Sequence, residues 1–320
     1  MKKLFVIAAI CMSMTAQATV LRVSNVPNSG APYTSISDAM TAAADGDTII
    51  VDGSAQKYDE AAINKRIVLM GPGYWLAENG TLQDGASPAT VGNIYFNGGS
   101  DGTIVTSMEC TGTVYVKATN VTITRCKIDG NIIHDANPNS ANHTIIHQCF
   151  LGGYIRGYGN IASHLTPSVQ VTNNIFTKRY DDDGLIEYLT DSYIAYNTMT
   201  NNHTNIHYTC DVGLKGCTIE KNVAYWLGSL ETCTYSDNFM QHDEGDVLIY
   251  PDTSTDFTIK NQELSADVLS KIDGKGAFAG DDPYVISGLP VGPVIKDISV
   301  PASVTAGSSL NVTIKLGVQR

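Results

Sequence analysis

Arg156, Glu187 and His207 carry the chemistry most useful to a binding or catalytic face, with Tyr95, Tyr115, Tyr154 and Asn205 in the same setting. Each lies beside an apolar residue that a strand would turn inward: Ile94, Val114, Ile155, Ile186 or Ile206. Successive strand residues face opposite sides, so the polar and aromatic set is expected to face outward on consecutive strands. There Arg156 offers a guanidinium for anions, Glu187 a carboxyl that acts as acid or base, and His207 an imidazole that moves a proton near neutral pH. The competing reading is a polar surface ladder whose members satisfy one another.

Tyr180-Asp181-Asp182-Asp183-Gly184 is the densest carboxylate run and directly precedes the strand that carries Glu187. Asp181 and Asp183 suit a Ca²⁺ ion or paired carboxylates at a scissile bond, against the reading of a solvated loop whose charges repel and point apart. His143 and His147 lack the HExxH form and are expected to be structural. His242, Asp243 and Glu244 fall on a connecting loop.

The 320 residues hold 20 Lys+Arg against 32 Asp+Glu, a net charge of −12. Such a chain repels phosphate backbones and anionic lipid surfaces, which excludes nucleic acid and membrane surfaces as first choices of partner. Hydrophobic residues make up 43% and charged residues 16%, enough apolar content for a core and too little charge for disorder. Residues 1–18 combine Lys2 and Lys3, an apolar stretch from Leu4 to Met14, and Ala16-Gln17-Ala18, the pattern of a cleaved signal peptide. An exported protein without membrane insertion is expected, most simply a monomer. Cys110, Cys126, Cys149, Cys210, Cys217 and Cys233 lack zinc spacing and read as buried small residues. If any bridge forms, the short loop between Cys210 and Cys217 favours that pair.

A repeat organises the chain. Segments ending in the turn positions Cys126, Gln148, Asn174, Asn197, Asn222 and Asn238 superpose, each following an alternating apolar stretch. A second strand in each unit opens with glycine at Gly92, Gly112, Gly130, Gly153 or Gly184. Units of roughly 20 to 50 residues that cannot bury an apolar face alone must stack. The pattern predicts a coil of short parallel strands, with Asn174, Asn197, Asn222 and Asn238 in one column at a corner whose left-handed backbone asparagine tolerates.

The chain opens with Tyr33-Thr34-Ser35-Ile36 through Ala42-Ala43-Ala44, then Gly46-Asp47-Thr48-Ile49-Ile50-Val51, Tyr58-Asp59-Glu60 and a strand from Ile67 to Gly71. In these residues it resembles the right-handed parallel β-helix proteins of the pectin-lyase-like superfamily. Those proteins open with a capping helix, a GDTI.V strand, a Y.E element and a strand ending in glycine. The stretch from Tyr284 to Pro293 is similar to the end of exported β-helix proteins of Bacteroidetes.

The resemblance implies an all-β, right-handed parallel β-helix solenoid over 19–287, a capping helix within 33–46, and a linker and short C-terminal β tail over 288–320. Ala266 to Ile272 is expected to form a matching short helix. The resemblance also implies a polysaccharide partner, possibly uronate-containing, bound or processed along an outward groove by a lyase or glycoside hydrolase. The Gly-His-Gly element of the polygalacturonase-type members is missing, and only Glu187 and Glu231 are spaced as calcium-binding lyases require. The alternative is a non-catalytic glycan-binding or adhesin-like structural surface protein.

Overall fold

The computed structural model describes residues 18–77, 87–137, 139–159, 164–177, 185–199, 213–224, 227, 232–240, 266–301, 303, 309–310 and 312–319. Its strands are short and, apart from one hairpin, every pairing among the described residues is parallel. A ten-stranded sheet runs from Val20–Val23 to Thr234–Ser236, an eight-stranded sheet from Thr90–Val91 to Phe239–Met240, and a six-stranded sheet from Ala61–Ile63 to Ile186–Glu187. Thr166–Pro167, Leu189–Thr190 and Leu214–Lys215 make a smaller three-stranded sheet. The chain visits these sheets in rotation. It passes from Thr122–Thr124 to Lys127–Ile128 to Ile132–His134 and returns to the first sheet at Ile145–His147, in register with the strand it left. The result is a coil of stacked parallel sheets, a parallel β-helix-like fold.

Two or three residues cannot hold a strand alone, so inward stacking must supply the stability. In the ten-stranded sheet Ile123 pairs with Ile146, Ile146 with Val171, Val171 with Ile194 and Ile194 with Ile219, and all five are fully buried. Burying each such side chain contributes about 1.5–3 kcal/mol, against the roughly 1–2 kcal/mol that ordering each backbone residue costs. β-Branched residues fit this column because the strand conformation already restricts their rotamers.

The corners depart from the sequence expectation in two respects. Arg125, Gln148, Asn173, Tyr196, Lys221 and Asp237 hold φ between 51° and 55°, so the left-handed residue is the one before the ladder position. The ladder position is the next residue, whose side chain turns inward. Its column runs Cys126, Cys149, Asn174, Asn197, Asn222, Asn238, because Lys127 pairs with Phe150 and Phe150 with Ile175. Gln148 therefore lies one residue off the turn position assigned to it, and Cys149 occupies that place.

The four asparagines form the expected ladder. Asn174 donates from both its backbone N–H and its Nδ2 to Asn197 Oδ1, each at 3.0 Å. Asn197 does the same to Asn222 Oδ1 at 2.9 and 3.0 Å, and Asn222 to Asn238 Oδ1 at 3.0 and 2.9 Å. Cys149 N–H donates to Asn174 Oδ1 at 2.8 Å and ends the run. The Cys126 and Cys149 thiols then reach backbone carbonyls at Thr124 (3.2 Å) and His147 (3.3 Å), a weaker substitute for the amide.

At one end the helix α1, Ile36–Ala42, buries Ile36, Ala39 and Met40 in the main core. It occupies the middle of the 33–46 stretch, with Ser35 accepting from Asp38 N–H at 3.0 Å as its N-cap. Lys65 Nζ donates to the carbonyls of Met40 (2.8 Å), Thr41 (3.1 Å) and Ala43 (2.7 Å), the orphan acceptors of the helix C-terminus. Asp47 stands directly before the strand Thr48–Val51. Its carboxylate accepts from Ala44 N–H at 2.8 Å and Thr19 N–H at 2.7 Å, and these bonds hold its pKa below the ordinary value.

Helix α2 spans Ala266–Ile272 as expected, and beyond it the chain runs back along the corners. The outward left-handed residues grip this strap. Lys275 pairs with Asp237 at 2.9 Å, and Gly276 N–H donates to the Lys221 carbonyl at 2.9 Å. Asn173 Nδ2 donates to the Ala277 and Ala279 carbonyls, Gln148 Nε2 to Asp282 and Pro283, and Arg125 Nη1 to the Leu289 carbonyl. Tyr74 and Tyr284 hydrogen-bond through their hydroxyls, with Trp75 edge-on to Phe150 beside them. After the strap, Gly292–Ser299 and Thr313–Gln319 form the antiparallel hairpin of the tail.

The glycines that open the six-stranded sheet pack backbone on backbone: a Cβ on Gly130 would lie 2.2 Å from the Gly112 carbonyl oxygen. Gly130→Ala should therefore lower the unfolding free energy by about 3 kcal/mol or prevent folding, because no flexible side chain can yield. Gly98→Ala, where a Cβ meets nothing within 4 Å, should stay within about 0.5 kcal/mol of wild type. Asn222→Ala should cost about 3 kcal/mol, since it strands the buried Asn197 N–H and amide. Urea titration measures all three, and an unchanged midpoint for Asn222→Ala would refute the ladder.

Candidate functional site

The outward residues of the six-stranded sheet form a single column fixed by strand pairing. Ala62 pairs with Tyr95, Tyr95 with Tyr115, Tyr115 with Ile133, Ile133 with Arg156 and Arg156 with Glu187. Their inward neighbours Ile94, Val114, Ile132, Ile155 and Ile186 are at most 1% exposed. The alternation read from the sequence thus places Tyr95, Tyr115, Arg156 and Glu187 on one face. Ile133 was missed because it is one of two adjacent isoleucines. It divides the face into an aromatic half and a charged half.

In the aromatic half Tyr95 and Tyr115 stack on each other, ring centroids 5.1 Å apart and planes within 5°. In-register parallel strands sit about 4.8 Å apart, so identical rings fall into face-to-face contact. Each ring thus gives one face to its neighbour. Asn93, two residues before Tyr95 and on the same side, donates through Nδ2 to Tyr95 OH (3.0 Å) and Glu60 Oε1 (2.8 Å), and accepts from Thr113 N–H (2.8 Å). Asn131 Oδ1 accepts from Tyr154 N–H at 3.2 Å. The Gly-Asn pairs at 92–93 and 130–131 were the sequence signal for these supporting amides.

In the charged half Arg156 Nε donates to Glu187 Oε2 at 3.0 Å. The Glu187 side chain is 7% exposed and that of Arg156 31%. The guanidinium lies over the Tyr154 ring at 4.4 Å and near the Tyr188 ring at 5.8 Å. Burial works against the Arg156 charge, but Glu187 and the two tyrosines outweigh it and its pKa is raised. A carboxylate gripped by a guanidinium is an acceptor, so this geometry favours Glu187 as anchor or base over proton donor. Tyr188 follows Glu187 directly at a left-handed φ of 58°.

Beneath this pair lies His134, which is 1% exposed. Its Nδ1 is 3.2 Å from the Arg156 carbonyl oxygen and its Nε2 3.0 Å from Thr144 Oγ1. A carbonyl only accepts, so Nδ1 carries the proton and Nε2 accepts from the threonine hydroxyl. Burial pushes the His134 pKa down to about 4, against the opposing Arg156 carbonyl. This neutral imidazole fixes the backbone of the Arg156 strand.

The structure thus brings Tyr154, Arg156 and Glu187 together, and adds Tyr188. His207, Asn205, Asp181 and Asp183 lie outside the described residues. Among the described residues no three His, Cys, Asp or Glu side chains group as metal ligands, and no helix is long and apolar enough to cross a membrane. Grooves of about 500 Å³ and about 460 Å³ lie elsewhere, the first along Asn120, His143, Ser168 and Asp191, the second beside the Arg22–Asp52 pair. Neither shares a residue with the six-stranded face.

An unfolded imidazole titrates near 6.5 and folded His134 near 4, so the unfolded chain binds more protons between these values. The stability from neutral His134 is complete above about pH 6.5 and is lost as pH falls toward 4, by about 3 kcal/mol. His134→Gln should flatten the pH dependence of the urea midpoint in that window relative to wild type, and equal slopes would contradict the assignment.

No family model matches this chain, and no curated protein matches it either.

Proposed function

We propose that this chain is an exported right-handed β-helix of the pectin-lyase-like kind, with α1 closing its N-terminal end, and that its six-stranded face binds an extended polysaccharide. The observation that carries the reading is the register of Tyr95, Tyr115, Ile133, Arg156 and Glu187, one residue per strand along the coil axis. A face of that shape suits a linear polymer better than a compact ligand. Aromatic and aliphatic surfaces pack against sugar faces, while Asn93 and Asn131 hold the flanking backbone and tyrosine hydroxyl in place.

Charge narrows the ligand. Glu187 already neutralises Arg156 at 3.0 Å, and the net charge of −12 repels polyanions at long range. A neutral polysaccharide therefore fits this face better than a polyuronate. The same ion pair supports an anchoring role for Glu187, whose carboxylate accepts from the Arg156 guanidinium.

Isothermal titration of the full chain against neutral and uronate polysaccharides tests the reading. Binding to a neutral polymer should vary little with salt, and Tyr154→Ala or Tyr115→Ala should weaken it about tenfold, the equivalent of about 1.4 kcal/mol. No new reducing ends or unsaturated uronates should appear. Wild-type affinity in both variants would overturn the site. Product formation lost in Glu187→Gln would make the protein an enzyme.

A further inference from the structure

We propose that Cys217 and Cys233 are an oxidation site, forming a disulfide that fastens the last strand of the ten-stranded sheet to the strand before it. Thr218 pairs with Thr234, and Thr234 N–H donates to the Cys217 carbonyl at 2.9 Å, so the two cysteines stand on adjacent rungs in register. Neighbouring parallel strands are about 4.8 Å apart, inside the roughly 4.4–6.8 Å Cα spacing that a disulfide spans. Cys233 packs against the core cluster that contains Cys217.

The two sulfurs are unequal in a way that suits the reaction. Cys217 is 1% exposed, whereas Cys233 is partly open to solvent. Gly216 takes a left-handed φ of 64° directly before Cys217. Hydrogen bonding from the Cys217 side chain outweighs partial burial and, with the backbone at Cys217 and Gly216, brings Cys233 down to about 6, while Cys217 is pushed up. Cys126 and Cys149 supply the contrast: they too are stacked and hydrogen-bonded, but both are fully buried.

The reaction needs a disulfide reagent, either a small one such as oxidised glutathione or a protein thiol oxidant. The Cys233 thiolate attacks one sulfur of the reagent, forming a mixed disulfide and expelling the first reagent thiolate. Cys217 then loses its proton and attacks the Cys233 sulfur, expelling the second. Two protein thiols are oxidised and the reagent disulfide is reduced to two thiols. The strand gaining this link needs it most, because Thr234–Ser236 ends its sheet and is only partly covered. The proposed bridge differs from the pairing of Cys217 with Cys210 expected from loop length, in which Cys210 lies outside the described residues.

The test uses the full reduced chain with oxidised glutathione at pH 7, quenched by alkylation and mapped by peptide mass spectrometry. A single Cys217–Cys233 cross-link is expected, with an intact mass about 2 Da lower and a raised melting temperature. With limiting alkylating reagent and no oxidant, Cys233 should react at least about tenfold faster than Cys126 or Cys149. Cys233→Ser, a change at a partly exposed position, should abolish the cross-link. A stable glutathione adduct on Cys233, a bridge from Cys233 to Cys210, or equal alkylation rates at all three cysteines would overturn the proposal.

Discussion

Everything in this coil depends on a corner at which a non-glycine residue is held left-handed so that the next side chain turns inward. Each such residue costs roughly 1–2 kcal/mol, and the structure repeats the cost at Arg125, Gln148, Asn173, Tyr196, Lys221 and Asp237. One corner alone would relax. Stacked in register, each corner presents an amide or thiol to its neighbour, so every rung holds the strained conformation of the next. Stability then becomes a property of adjacent pairs, as in other solenoids.

The same register produces the features on the outside. The left-handed residues point outward and grip the strap from Lys275 to Leu289, which ties rungs distant in sequence into one body. On the six-stranded sheet the register lines up tyrosines, an isoleucine and an ion pair. Arg156 is supported from both sides, its carbonyl by His134 on the preceding rung and its guanidinium by Glu187 on the following one. A disturbance of the corner column therefore reaches the candidate site through strand position, with no direct contact needed.

Much of this was legible in the sequence, and the failures have physical causes. The asparagine column could be read because one residue type recurred at rung spacing. Gln148 was misplaced because an amide looks like a ladder residue, yet the position is chosen by inward direction, and a cysteine held it. The outward parity of Tyr95, Tyr115 and Arg156 followed from simple alternation, whereas Ile133 hid among apolar neighbours. The strap could not be read at all: Gln148 meets Asp282 and Arg125 meets Leu289 across more than a hundred residues with no local signature. The rung-to-rung contact of Cys217 with Cys233 became visible only once the strands were in register.

Native-state hydrogen exchange at the backbone amides of Cys149, Asn174, Asn197 and Asn222 tests the dependence on stacked corners most directly. Each donates to a ladder asparagine, so all four should exchange only through cooperative opening, with one shared free energy close to that of global unfolding. Four unrelated values, or rapid exchange at these amides while the inward strand residues stay protected, would contradict the account.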